Sequence, residues 1–128
     1  MERLFCLFSN IIEAIMSTVS EIYNRIGQRI IDSIRSEWIT AALQVEYVGS
    51  VKAFLEYKTD NGEVKNTILQ DSFKNMRDIK ELNAIMTAEN NKNKWNKAVF
   101  TVNPEGKFDM QFIWDQELQD EIEKLAKE

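Results

Sequence analysis

The side chains able to do chemistry in this chain are few and scattered. It has no histidine among its 128 residues, and its one cysteine is Cys6. A cysteine nucleophile needs a base or a cation to hold it as thiolate, and no imidazole is available for that. Proton transfer near neutral pH is left to carboxylates, lysines, tyrosines and serines. Two carboxylate pairs stand out: Glu46 with Glu56, which could share one region of a sheet, and Asp109 with Asp115, both near the final strand. Such pairs serve glycoside hydrolysis or hold Mg²⁺. Neither belongs to an acidic ligand motif, and acids on strands and helices are by default solvated. The expectation is a protein that is not an enzyme and uses no metal and no cofactor.

Three tryptophans carry binding chemistry instead. Trp38 falls between the first helical stretch and the first strand, where a large ring closes a core edge. Trp95 opens the last hairpin and Trp114 closes it, so both belong at one end of a sheet. Packing is the expected role of Trp38 and Trp95. Trp114 abuts an acidic tail, and tryptophan beside a charged patch suits a binding anchor.

The charge is unevenly placed. Residues 105–128 hold eight acids and three bases, while residues 1–104 hold thirteen of each. The whole net charge of −5 therefore sits in the last hairpin and tail. A negative patch steers basic partners and repels nucleic acid. Acids in the first turn of a helix also favour its dipole, which is the bland reading of the same residues. A single cysteine excludes a disulfide framework and fits a reducing, cytoplasmic setting.

These residues need elements to position them. At 44% apolar residues the chain suffices for one core. Residues 1–15 read as an apolar extension, too polar and too short for a membrane span and without a cleavage site. Leu4, Phe5, Leu7 and Phe8 in it make homodimerisation through this arm an expectation. Residues 16–128 read as one domain. Val19, Ile22, Tyr23, Ile26, Ile30 and Ile34 predict a helix from Ser17 to Glu37, with Gly27 placed for close approach of a neighbour. Ile39–Tyr47 and Val51–Tyr57 alternate as strands. A register pairing Leu43 with Leu55 and Val45 with Ala53 matches their apolar residues, with a bulge near Val48. Asn61-Gly62 predicts a two-residue turn that sets Thr59 opposite Val64 and Leu55 opposite Ile68, giving a third strand over 63–69.

Asp71 or Ser72 can cap a second helix, with Phe73, Met76, Ile79, Leu82, Ile85 and Met86 buried. A polar loop follows over 89–94. Asn103-Pro104-Glu105-Gly106 predicts a type I turn with Gly106 left-handed, pairing Val102 with Phe108, Phe100 with Met110 and Ala98 with Phe112. Asp115 caps a final helix with Leu118, Ile122 and Leu125 on one side. The order α-β-β-β-α-β-β-α predicts an α+β fold, an antiparallel sheet of about five strands with helices packed on one face.

Two segments resemble the YezG-like immunity proteins, the antitoxins of bacterial polymorphic toxin and contact-dependent growth inhibition systems. The first is VSEIYNRIGQRIIDSIRSEW, Val19 to Trp38, with an Ile-Tyr pair, spaced isoleucines and a Glu-Trp end leading into a strand. The second is KWNKAVFTVNPEGKFDMQFIWD, Lys94 to Asp115, similar in its Trp, Thr-bearing strand, Gly-Lys-Phe turn exit, aromatic strand and acidic stop. Neither is a catalytic motif, and the helix over 72–89 has no counterpart. The resemblance implies a cytoplasmic immunity protein that binds and neutralises a cognate toxin domain, often a nuclease. An acidic surface matches the basic substrate cleft of such a toxin. The expected toxin-binding residues are Asp109, Trp114, Asp115, Glu117, Asp120 and Glu121. The alternative is a small homodimeric or adaptor module with no toxin partner.

Overall fold

The computed structural model describes residues 19–89 and 94–127. The first helix, α1, covers residues 19–33 of the described chain. Its isoleucine stripe is buried as the spacing predicts, with Ile22, Ile26, Ile30 and Ile34 in the core and Val19 and Tyr23 beside it. The helix stops at Ser33 rather than running to Glu37. Ser33 Oγ donates to the Arg29 carbonyl (2.7 Å) and accepts from the Gln70 amide (2.8 Å), which ties the helix end to the chain ahead of the next helix. The chain then crosses to the sheet, where Ile39 N–H meets the Lys58 carbonyl at 2.8 Å.

Strands β1 (Thr40–Val48) and β2 (Ser50–Lys58) pair antiparallel with Leu43 opposite Leu55 and Val45 opposite Ala53, the register their apolar residues require. No bulge interrupts it. Pairing continues to Val48 and Ser50, and Gly49 alone turns the chain at φ +73°. Strand β3 (Val64–Thr67) is shorter than expected and one residue out of the expected register, with Lys58 opposite Val64 and Leu55 opposite Thr67. A two-residue type I′ turn needs positive φ at both central residues. Only Gly62 (φ +87°) has it, and the turn spans Thr59 to Glu63, held by Thr59 N–H on the Glu63 carbonyl (2.9 Å). The longer turn shifts the register by one, and Ile68 falls outside the strand, 87% exposed.

Helix α2 (Ser72–Glu89) begins on the carbonyl of Asp71, which accepts from Asn75 N–H at 3.0 Å while its own backbone is left-handed (φ +53°). Ile79 and Leu82 are buried and Met76, Ile85 and Met86 half-buried, but Phe73 stands 68% exposed. Asn75 and Asp78 take inward places that the apolar stripe did not assign. Strands β4 (Lys97–Val102) and β5 (Phe108–Ile113) form the last hairpin in the predicted register. Its turn has Gly106 at φ +89°, and Asn103 Oδ1 accepts from the amides of Glu105 (3.1 Å) and Lys107 (2.9 Å). Helix α3 (Gln116–Lys127) is the last described element.

The sheet is five-stranded and antiparallel in the order β3-β2-β1-β4-β5. The fold is α+β. One face of the sheet, with Leu43, Val45, Leu55, Phe100 and Val102, shares a core with the stripes of α1 and α2. The opposite face carries Glu46 between Lys52 and Lys97 on the neighbouring strands, a favourable cross-strand row. No helix among the described residues is long and apolar enough to cross a membrane. The N-terminal extension, its expected homodimer contact, Cys6 and most of the expected polar loop lie outside the described residues.

Candidate functional site

The expected binding residues depend on how β5 hands the chain to α3. Asn96 governs that junction. It is 1% exposed, and its carboxamide brackets the backbone of one residue: Nδ2 donates to the Asp115 carbonyl and Oδ1 accepts from the Asp115 amide, both at 2.8 Å. Its backbone joins the sheet on both sides, donating to the Ile113 carbonyl (3.1 Å) and accepting from Tyr47 (2.8 Å). The start of α3 is thus bolted to the sheet through a polar side chain that is itself fully paired.

Asp115 does structural work. Its Oδ1 accepts from Leu118 N–H at 3.0 Å, the N-cap bond its sequence position predicts, and Oδ2 meets Lys97 Nζ at 2.8 Å. The ion pair with Lys97 and the capped amide of Leu118 hold its carboxyl below the ordinary aspartate value. The same pair raises the Lys97 ammonium.

Glu117, Asp120 and Glu121 follow at the spacing that puts them on one face of α3, and all three are exposed. Trp114 sits just ahead of them, 37% exposed. Its indole N–H donates to Gln116 Oε1 (3.0 Å), and Gln116 Nε2 donates to Asp120 Oδ1 (2.8 Å), so Gln116 links the ring to the acidic face. Lys94 Nζ lies 4.4 Å from the centre of the Trp114 ring, a cation–π contact.

Asp109 stands apart. It pairs with Thr101 near the turn, and the extended strand carries it roughly 20 Å from Asp115. The structure therefore brings together Trp114, Asp115, Glu117, Asp120 and Glu121 and leaves Asp109 at the other end of β5. Trp95 belongs to the core, with its N–H on Met86 Sδ (3.2 Å) and its ring 5.1 Å from Phe112. Glu46 and Glu56, the other expected carboxylate pair, do not converge: Glu46 lies opposite Lys52 and Lys97, and Glu56 accepts from Gln44 at 3.2 Å.

Three contributors went unseen in the sequence. Asn96, Gln116 and Lys94 matter through partners that no local pattern displays. An apolar groove of about 550 Å³ between β2, β3 and the start of α2, lined by Val51, Ala53, Leu55, Ile68 and Met76 among others, offers no convergent titratable groups. Among the described residues no three Asp, Glu or Cys side chains gather as a metal site. Comparison with protein-family models and with curated proteins finds no match for this chain.

Proposed function

We propose that this protein is a cytoplasmic immunity protein that binds a cognate toxin domain and neutralises it. The observation that carries the reading is the acidic face of α3, with Glu117, Asp120 and Glu121 exposed side by side and Trp114 next to them. The start of that helix is anchored by Asn96 and the Asp115 cap. A negatively charged surface with an aromatic anchor suits a basic partner, and a nuclease has a basic substrate cleft. Charge complementarity speeds encounter, and the ring supplies desolvated contact area once docked. Protection against a potent toxin calls for a Kd near 1 nM, about −12 kcal/mol.

The test is co-purification of the tagged chain with the product of the gene immediately upstream, with growth rescue scored in the same cells. A one-to-one complex that restores growth supports the reading; neither complex nor rescue removes it. The surface is tested by reversing Glu117, Asp120 and Glu121 to lysine. Asp115 stays intact because it caps the helix and pairs with Lys97. The triple variant should stay folded, with its thermal midpoint lowered by a few degrees at most because lysine in the first turn opposes the helix dipole, and associate at least tenfold more slowly at low salt, where steering is strongest. An unchanged association rate removes the acidic face from the mechanism.

A further inference from the structure

We propose that the cleft between α1 and α2 is a binding site for a compact phosphate dianion. The cleft encloses about 280 Å³ and is lined by Arg25, Arg29, Lys74, Arg77, Asp78 and Glu81. At its base lies Asp78, 7% exposed. Both of its oxygens are taken. Oδ1 accepts from Arg25 Nη2 (2.9 Å) and Nε (3.3 Å), and Oδ2 from Arg29 Nη2 (2.7 Å) and Arg25 Nε (3.3 Å). Arg29 Nη1 also donates to Asn75 Oδ1 at 3.3 Å.

The imbalance is in what these contacts leave over. The carboxylate has spent its acceptors, whereas two guanidiniums have more N–H donors than the contacts use. Lys74 and Arg77 add exposed cations from α2. Among the lining residues four cationic groups stand against Asp78 and Glu81, a balance of +2 on a chain whose net charge is −5, with Glu21 one turn away on α1 as the further acid acting on Arg25. A dianion closes that balance and a single carboxylate does not. Asp78 also holds both arginines in place before any ligand arrives, so little side-chain ordering is left for binding to impose. The size and charge suit free phosphate, and pyrophosphate presents the same group at a higher charge. A nucleic-acid strand presents the same group, but the chain's negative charge opposes a polyanion.

The experiment follows the thermal midpoint of the full chain against inorganic phosphate and pyrophosphate, with sodium chloride holding ionic strength constant. Site binding predicts a saturable rise of about 5 °C at tenfold excess over Kd. General exclusion of phosphate from the surface stabilises without saturation and equally in every variant. The Lys74→Ala/Arg77→Ala variant, altered at two exposed positions, should start within about 1 °C of the parent and lose the rise. Glu81→Gln removes the opposing charge and should reach half-saturation at severalfold lower phosphate, independently of the first variant. A short single-stranded oligonucleotide of equal phosphate content should give no larger rise. A response no greater than chloride's, one that survives the double substitution, one indifferent to Glu81→Gln, or one stronger for the oligonucleotide would overturn the assignment.

Discussion

Replacing Asn96 with alanine tests how the acidic helix is held. The substitution deletes two hydrogen bonds of 2.8 Å, both to the backbone of Asp115. The two losses are unequal. The Asp115 carbonyl retains the amide of Gln119 at 3.2 Å, while the Asp115 amide has Asn96 as its partner and loses it. Two net bonds at about 1 kcal/mol each, plus the void left by a side chain 1% exposed, bring the cost to about 2–3 kcal/mol. That is a large share of the roughly 5–15 kcal/mol typical of a domain, yet it leaves the chain folded. Urea unfolding measures the loss, and hydrogen exchange locates it. The amides of Leu118 and Gln119, which close the first turn of α3 onto Asp115, should lose more protection than those in the centre of β1. A loss below about 0.5 kcal/mol, or protection in that turn falling no further than in β1, would refute the account of Asn96 as the bolt.

Asp78→Ala should cost about 2–4 kcal/mol at pH 7, because the Arg29 side chain, 10% exposed, loses its charged partner while the more open Arg25 adds little. Burial pushes the Asp78 carboxyl up, but the hydrogen bonds from Arg25 and Arg29 prevail and hold it below its ordinary value. The folded-state pKa is thus below the unfolded one, so the contribution is complete above the unfolded value near about 3.9 and is lost as pH falls through the depressed value. Urea midpoints of parent and variant should stay a fixed distance apart from neutral pH down to about 5 and converge in stronger acid; divergence in acid would contradict the assignment. Gly27→Ala should stabilise by about 0.5–1 kcal/mol, since an added methyl would lie 3.6 Å from Phe108 Cδ1 and 3.8 Å from Val102 Cγ2, ordinary contact distances, in a helix interior where glycine is unfavourable. A lower melting temperature would show that the helix needs the close approach after all.

Local chemistry was legible wherever one residue type has one conformational use. Pro104 and Gly106 specify their turn almost alone, and the register of β4 on β5 follows. Asn61-Gly62 is ambiguous because the same dipeptide serves a two-residue turn or ends a longer one. The decision falls to Thr59 and Glu63, whose bond is invisible in a hydropathy pattern. The stripe on α2 shows which residues are collinear but not what faces them. Asn75 and Asp78 turn inward because α1 presents Arg25 and Arg29 at the matching height. For the candidate site, counting acids along the chain found the cap and the α3 face. It also joined Asp109 to them, since proximity in sequence along an extended strand is distance in space. Asn96 left no trace, being a single polar residue whose partner lies nineteen positions away.

The strand order also sets how the chain must assemble. The pairs β1·β2, β2·β3 and β4·β5 join neighbours in sequence and can form as hairpins, each closing a short loop. The seam β1·β4 is different: Ala41 meets Val102 about sixty residues away, at a loop-closure cost that no hairpin turn reduces. A three-stranded meander and a hairpin must therefore meet along one central seam, and Tyr47 N–H on the Asn96 carbonyl is among the bonds made there. The last hairpin and α3 form one of those halves, so closing the seam should set the folding rate, and the seam is where two chains at high concentration would exchange halves.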